Sequence, residues 1–248
     1  MHRFFVSADN IKDDIVYIDA FQTRHIEKVL RLKPGDSVMV FDGLGTEYQV
    51  KLLKKESDML LAEIEKKNDR QHTPAVNLTL VQGIAKGDKM DTIIQKAVEI
   101  GVKTIVPLQS EHTVVRIDGE KAGKKLQRWQ AIAREACKQC RRNYIPEIKP
   151  VMDFQGLMFE LSEKPVIMLY ENEEKTRLGT VLKDHKDRFE EKGIFLLVGP
   201  EGGFSRQEVR LAQNHNVILA GLGPGILRTE TAGLAAASII LYEFGDLG

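Results

Sequence analysis

Two glycine-rich stretches near the end of the chain are the residues best suited to do chemistry. The first is Gly199-Pro200-Glu201-Gly202-Gly203, and the second runs Leu219-Ala220-Gly221-Leu222-Gly223-Pro224-Gly225-Ile226-Leu227-Arg228. Glycine admits positive φ and lets the backbone come close to another group, so such loops can offer amides and carbonyls to a ligand. Ser205 and Glu208 follow the first loop at the spacing of a capping box, and a helical pattern opens at Thr229-Glu230-Thr231 after the second. Each loop therefore connects a strand to a helix. Three glycines and a glutamate are more than a plain turn requires.

Known ligand signatures do not match these loops. Gly221, Gly223 and Gly225 alternate, whereas a dinucleotide fingerprint needs G-x-G-x-x-G and a second βαβ half. The chain has no Gly-Lys-Ser/Thr phosphate loop here and no G-x-S-x-G nucleophile elbow. No dense cation cluster surrounds the loops, which disfavours a polyphosphate. A small ligand held by the backbone is the reading that remains. Cys137-Lys138-Gln139-Cys140 lacks the further ligand pair that zinc requires, and the six histidines show no ligand spacing. The two cysteines read as inert packing residues, and no metal is expected.

The elements that must position these loops change character near residue 73. Before it, short apolar runs at 4–6, 15–18, 37–42, 47–53 and 58–65 read as strands, with a helical pattern at 20–30 and a hairpin signal at Gly43-Leu44-Gly45. That set suits a small β-barrel over residues 1–72, with a polar linker at 66–72. After it, strand patterns at 77–84, 104–108, 166–170, 194–199 and 217–222 alternate with helical patterns at 89–100, 121–142, 207–215 and 229–244. The alternation predicts a mostly parallel α/β sheet over residues 73–248, with ligands at the carboxyl ends of its strands. Small residues through 232–238 let the last helix pack closely.

Composition excludes other classes. The 248 residues hold 36 Lys plus Arg against 36 Asp plus Glu, with 42% apolar and 29% charged residues, the balance of an ordinary globular chain. The longest apolar run, 233–242, is too short to span a membrane. The first residues lack signal-peptide order, which points to the cytoplasm. The zero total hides one asymmetry: residues 121–149 carry nine cations against two acids. Such a window is either a solvated helix face or a phosphate-backbone footprint.

Taken together, the motifs resemble a known family, the bacterial 16S (small-subunit) ribosomal RNA uridine-N3 methyltransferases, ribosomal RNA small subunit methyltransferase E, of the SPOUT or trefoil-knotted superfamily. The likeness runs through Met1-His2-Arg3-Phe4-Phe5-Val6, Lys86-Gly87-Asp88-Lys89-Met90, Ile94 to Val102, Arg128-Trp129, the two glycine loops and Ile226-Leu227-Arg228-Thr229-Glu230-Thr231-Ala232. The resemblance implies an N-terminal PUA-like β-barrel that binds RNA and a C-terminal α/β domain with a deep trefoil knot. It implies S-adenosylmethionine as cofactor, held by Tyr170, Glu171, Gly199, Pro200, Glu201, Gly202, Gly203, Leu219, Gly221, Leu222, Gly223, Ile226, Leu227 and Thr231. It also implies a homodimer, acting on small-subunit rRNA or an assembled 30S particle.

Uracil N3 carries a proton at neutral pH, which must leave before or during methyl transfer. Arg228 is the expected stabiliser of the developing anion, and Glu201, Glu230 or solvent is the expected proton acceptor. Arg3, Arg31, Lys86, Lys89, Arg141 and Arg142 are expected RNA contacts, or else solvated surface cations. The alternative from another class is a non-catalytic RNA-binding ribosome-assembly factor. Two positions depart from the family pattern: Gly225 and His112 stand where relatives often carry Arg.

Overall fold

The computed structural model describes residues 1–68 and 75–247. The predicted linker at 66–72 therefore lies partly outside the described residues. The chain divides into two units, Met1–Thr73 with Cys137–Ile145, and Pro74–Ala136 with Pro146–Gly248. The first unit thus takes a segment from the middle of the chain that the sequence reading left in the second.

The first unit is one six-stranded sheet curled round its own core. Its strands are β1 (Arg3–Phe5), β2 (Ile11–Lys12), β3 (Ile15–Ile18), β4 (Ser37–Phe41), β5 (Glu47–Glu56) and β6 (Met59–Asn68), in the order β1-β4-β5-β6-β3-β2. Alternation sets the register: Val38 pairs with Val50 and Val40 with Tyr48, all four buried. A short helix α1 (Ala20–Arg24), capped by Asp19, runs into a π-helical turn at His25–Val29 and drops Ile26 into the core. The hairpin signal at 43–45 is a real turn. Asp42 Oδ1 accepts the N–H groups of Leu44 (2.8 Å) and Thr46 (3.1 Å). Gly43 has φ 76°, and a Cβ there would lie 2.8 Å from the Ile145 side chain.

Arg3 is a correction to the expected RNA contacts. Its side chain is only 9% exposed and pairs with Glu47 at 2.8 Å. Nη1 donates to the Cys137 carbonyl (2.8 Å), and Nη2 donates to the Arg142 carbonyl (2.9 Å) and to Asn143 Oδ1. The guanidinium also lies 4.0 Å from the centroid of the Phe41 ring. These bonds hold residues 137–145 on the sheet and engage the guanidinium within the unit rather than at its surface. Burial pushes the Cys137 thiol up to about 12, Cys140 adding to it against Arg142 and Arg3, so this cysteine is inert packing.

The second unit is a parallel sheet. Strands β7 (Leu78–Gly83), β8 (Thr104–Gln109), β9 (Glu147–Ile148), β10 (Met152–Asp153), β11 (Val166–Leu169), β12 (Ile194–Val198) and β13 (Ile218–Ala220) run in the order β10-β8-β7-β12-β11-β13, with β9 beside β8. Among the described residues its strand pairs are parallel, and β11 is buried along its whole length, as expected of a strand covered on both faces. Helices α2 (Lys89–Ile100), α3 (Gly119–Cys140), α4 (Phe154–Glu160), α5 (Leu178–Asp184), α6 (Lys186–Lys192), α7 (Arg206–Asn214) and α8 (Thr229–Glu243) complete the chain. Met90, Ile93, Ile94, Ala97 and Val98 form the buried stripe of α2, and α8 packs on α2, β7 and β12. Sequence reading missed α4, α5 and α6. At seven residues each they span two turns, too few to establish a period.

Replacing Arg3 by Ala leaves Glu47, two carbonyls and Asn143 without their donor. We expect a loss of about 2–4 kcal/mol in the first unit's unfolding transition, measured in urea. A transition within experimental error of the wild type would show that the network adds nothing to stability.

Candidate active site

The carboxyl ends of β11, β12 and β13 open into a cleft of about 520 Å³. Its wall is made by Tyr170 and Glu171 after β11, residues 199–204 after β12, and residues 220–230 after β13, with Lys89 at one side. Of the residues expected to hold a cofactor, Tyr170, Glu171, Gly199, Pro200, Glu201, Gly202, Gly203, Gly221, Leu222, Gly223, Ile226 and Leu227 line it. Leu219 and Thr231 do not. Leu219 packs on the core beneath, because alternation in β13 turns it away, and Thr231 is exposed on the first turn of α8. Arg228 and Glu230 also reach the wall.

Close approach of backbones gives the cleft its shape. Gly221 lies under the 173–178 loop: its N–H donates to the Thr176 carbonyl (2.9 Å), and its carbonyl accepts from Leu178 N–H (3.2 Å). A Cβ on Gly221 would stand 2.2 Å from the Glu173 carbonyl oxygen, so no larger residue fits without moving a loop. Gly203 has φ 66°, and a Cβ there would meet the Glu171 carboxylate at 2.9 Å. Beneath the loops, fully buried Gln82 in β7 donates to Thr229 Oγ1 (2.9 Å), and that hydroxyl donates to the Gly199 carbonyl (2.6 Å). This chain joins the middle of the sheet, the start of α8 and the first glycine loop. Sequence reading missed Gln82 and Thr229. The available signal was a Gln inside the otherwise apolar run of β7, since a buried amide must find partners.

Charge is concentrated at the side formed by Lys89. Its ammonium lies 3.4 Å from Glu201 Oε1 and 3.2 Å from Glu230 Oε2. Glu201 Oε1 also accepts the Lys86 backbone N–H (3.1 Å). Burial pushes the Glu201 carboxyl up, but the N–H groups of Lys86 and of Glu201 itself, together with Lys89, outweigh it and hold the group below its ordinary value. Glu230 is lowered first by its own backbone N–H. Burial opposes this, and Lys89 and Arg228 reinforce it. Two carboxylates held ionised in this way are weak proton acceptors. Arg228 occupies the N-cap position of α8 in extended conformation, its side chain exposed at the cleft.

The expected RNA contacts fall on both units. Arg31 is exposed with φ 56°, and Arg141 is exposed with φ 61°. Arg142 is half-buried, with its carbonyl held by Arg3. Lys86 is exposed, whereas Lys89 is engaged by the two carboxylates. Within the basic window Arg128 is also engaged, by Asp91 and Asp88, and Asp91 raises it above the ordinary guanidinium value. Among the described residues there is no metal-binding cluster, and no helix is long and apolar enough to cross a membrane.

Comparison with known proteins gives the family. Residues 72–241 match the model of an RNA methyltransferase domain, and residues 18–67 match an RNA methyltransferase PUA domain. Ribosomal RNA small subunit methyltransferase E of Bacillus subtilis is 32% identical over 98% of this chain and 97% of its own length. The chain belongs to the ribosomal RNA small subunit methyltransferase E family. A member from Neisseria gonorrhoeae, solved bound to S-adenosyl methionine, superposes with TM-score 0.85 at 33% identity over 98% of both chains. A putative methyltransferase from Legionella pneumophila, solved with bound SAM, gives TM-score 0.85 at 30% identity over 97% of both.

The two departures from the family pattern have physical readings. A Cβ on Gly225 would meet nothing within 4 Å, so the space there admits a side chain. His112 Nδ1 donates to the Gly202 carbonyl (2.9 Å), so this residue braces the first glycine loop.

Gly221→Ala drives a methyl group into the Glu173 carbonyl. We expect thermal unfolding to report a loss of about 1–3 kcal/mol, the usual cost of overpacking. A neutral substitution would mean that the loops separate freely and that close approach does not shape the cleft.

Proposed function

We propose that the chain is an S-adenosylmethionine-dependent methyltransferase acting on uridine N3 of 16S (small-subunit) ribosomal RNA. The observation that carries this reading is the cleft itself, walled by backbone and edged by Glu171, Glu201 and Glu230 against Lys89 and Arg228. That excess of carboxylates suits a small cationic ligand and repels a polyphosphate. When bound, S-adenosylmethionine supplies a methyl group activated on a sulfonium. Tyr170, Leu222, Ile226 and Leu227 provide apolar wall for it, and the 199–203 and 221–223 backbone provides hydrogen-bonding groups.

The chain's own residues do the positioning. Arg228 stands where the cofactor loop ends and α8 begins, and its guanidinium stabilises negative charge developing on the uracil carbonyls. Glu201 and Glu230 stay ionised and anchor Lys89, so the N3 proton passes to solvent. Arg31, Lys86, Arg141 and Arg142 serve as RNA contacts in this reading, each exposed or half-buried on its own unit. The working form is a homodimer, a reading supported by Ile239 and Tyr242, large apolar residues exposed on one face of α8, and by Ile226, 84% exposed at the cleft. The trefoil threading and a cytoplasmic site of action, with free rRNA or an assembled 30S particle as substrate, belong to the same reading.

The deciding experiment incubates the chain with labelled S-adenosylmethionine and small-subunit particles or RNA, then identifies the product nucleoside by mass spectrometry. N3-methyluridine is expected. Cofactor binding in calorimetry without any methyl transfer would fail the reading, and absence of both would favour a non-catalytic assembly factor.

Arg228→Ala is expected to lower kcat about 10²-fold, with cofactor binding nearly unchanged. Wild-type turnover would remove Arg228 from the mechanism. Because both glutamates lie below the ordinary carboxylate value, neither changes charge near neutrality. Turnover should therefore rise with pH through neutrality and show no carboxylate limb there. A limb abolished by Glu201→Gln or Glu230→Gln would restore that residue as the base.

A further inference from the structure

Lys89, in the motif Lys86-Gly87-Asp88-Lys89-Met90, has no role of its own in the methyl-transfer steps above. We propose that Lys89 is a positioning residue for methyl transfer, tying the 199–203 loop to the first turn of α8 and so setting where Arg228 stands at the cleft. The proposal rests on reading the cleft as a methyl-transfer site.

Five observations carry it. Lys89 is the first residue of α2, a helix anchored by buried Met90, Ile93 and Ile94 and packed on α8, so the ammonium stands on a rigid base. Its two partners lie on different walls: Glu201 in the loop after β12, and Glu230 two residues beyond Arg228. The three side chains are 38%, 24% and 23% exposed, which is partial shielding from solvent. Glu230 Oε2 is buried with no hydrogen-bond partner, and the ammonium 3.2 Å away is the cation paired with that atom. The Lys86 N–H, in the turn that leads into α2, meets the same Glu201 Oε1, so this carboxylate is held by the turn as well as by the ammonium. Without the ammonium, two anions that share one 3.4 Å neighbourhood repel each other, and the loop and the helix start move apart. A lysine spent this way is not free to neutralise a phosphate.

The test compares Lys89→Met, Lys89→Arg, Glu230→Gln and the Lys89→Met/Glu230→Gln pair. Steady-state methyl transfer is measured alongside rRNA affinity as a function of salt. Lys89→Met is expected to lower kcat about tenfold while the rRNA Kd and its salt slope stay at wild-type values. Lys89→Arg should recover most of that loss, and the double variant should be no worse than the worse single variant, the signature of a coupled pair. An unchanged kcat with weaker rRNA binding and a salt slope reduced by about one would overturn the proposal and make Lys89 a phosphate contact. Losses that simply add in the double variant would overturn it too. Urea unfolding of the same four chains and the wild type reads the coupling without any activity. Additive stabilities there count against the tie, even if the wild type transfers no methyl group and the methyl-transfer reading itself fails.

Discussion

Backbone meeting backbone at the ends of three adjacent strands is the constraint on which the second unit depends. β12, β11 and β13 are neighbours and parallel, so their carboxyl ends all open on the same side. The loops that leave them must pass within van der Waals distance of one another. Gly221 is the tightest point, 2.2 Å from a carbonyl if it bore a side chain. A wall made in this way presents amides and carbonyls to the cleft, and the Gly199 carbonyl is satisfied from below through Gln82 and Thr229. The helix α8 is seated by the same hydroxyl, so cleft shape and helix position are one arrangement.

Electrostatics act at short range over this scaffold. The chain is neutral overall, and the neutral sum hides a basic stretch and an acidic-edged cleft. The cleft's carboxylates suit a cationic ligand, while a polyanion is served by local cations without a bulk positive charge. Lys89 stands at the cleft but is neutralised by its neighbours. Cations of one type therefore have different uses: Arg3 is structural, Lys89 bridges two carboxylates, and Arg31 and Arg141 stand in solvent.

Much of the fold could be read from local pattern. The α2 boundaries agree with the stripe spacing, and five strands of the second sheet agree within about two residues at each end, whereas the two-residue β9 and β10 are too short to leave a pattern. Twelve of the fourteen residues that the family resemblance implied as cofactor contacts line the cleft, and the strand–glycine–helix order of the two loops is itself a short-range signal. The first unit's membership was not legible. Residues 137–145 belong to it because Arg3 and the 43–45 turn hold them, across separations of about 100 to 140 residues. Nor did the charge window reveal which of its cations were engaged, since a lysine or arginine shows the same letter whether it is solvated or paired.

By itself, the sequence determined the alternation of elements, the glycine loops, the capping box at Ser205 and the family. Each of these is written within a window of a few residues or in an ordered set of such windows. Tertiary structure alone decided the partners: Gln82 with Thr229, 147 residues apart, and Lys86 with Glu201, 115 residues apart. It also decided that Arg3 is buried and that Lys89 faces two carboxylates. The physical reason is that burial and charge pairing depend on which distant segments the sheet brings side by side, and no local periodicity encodes that.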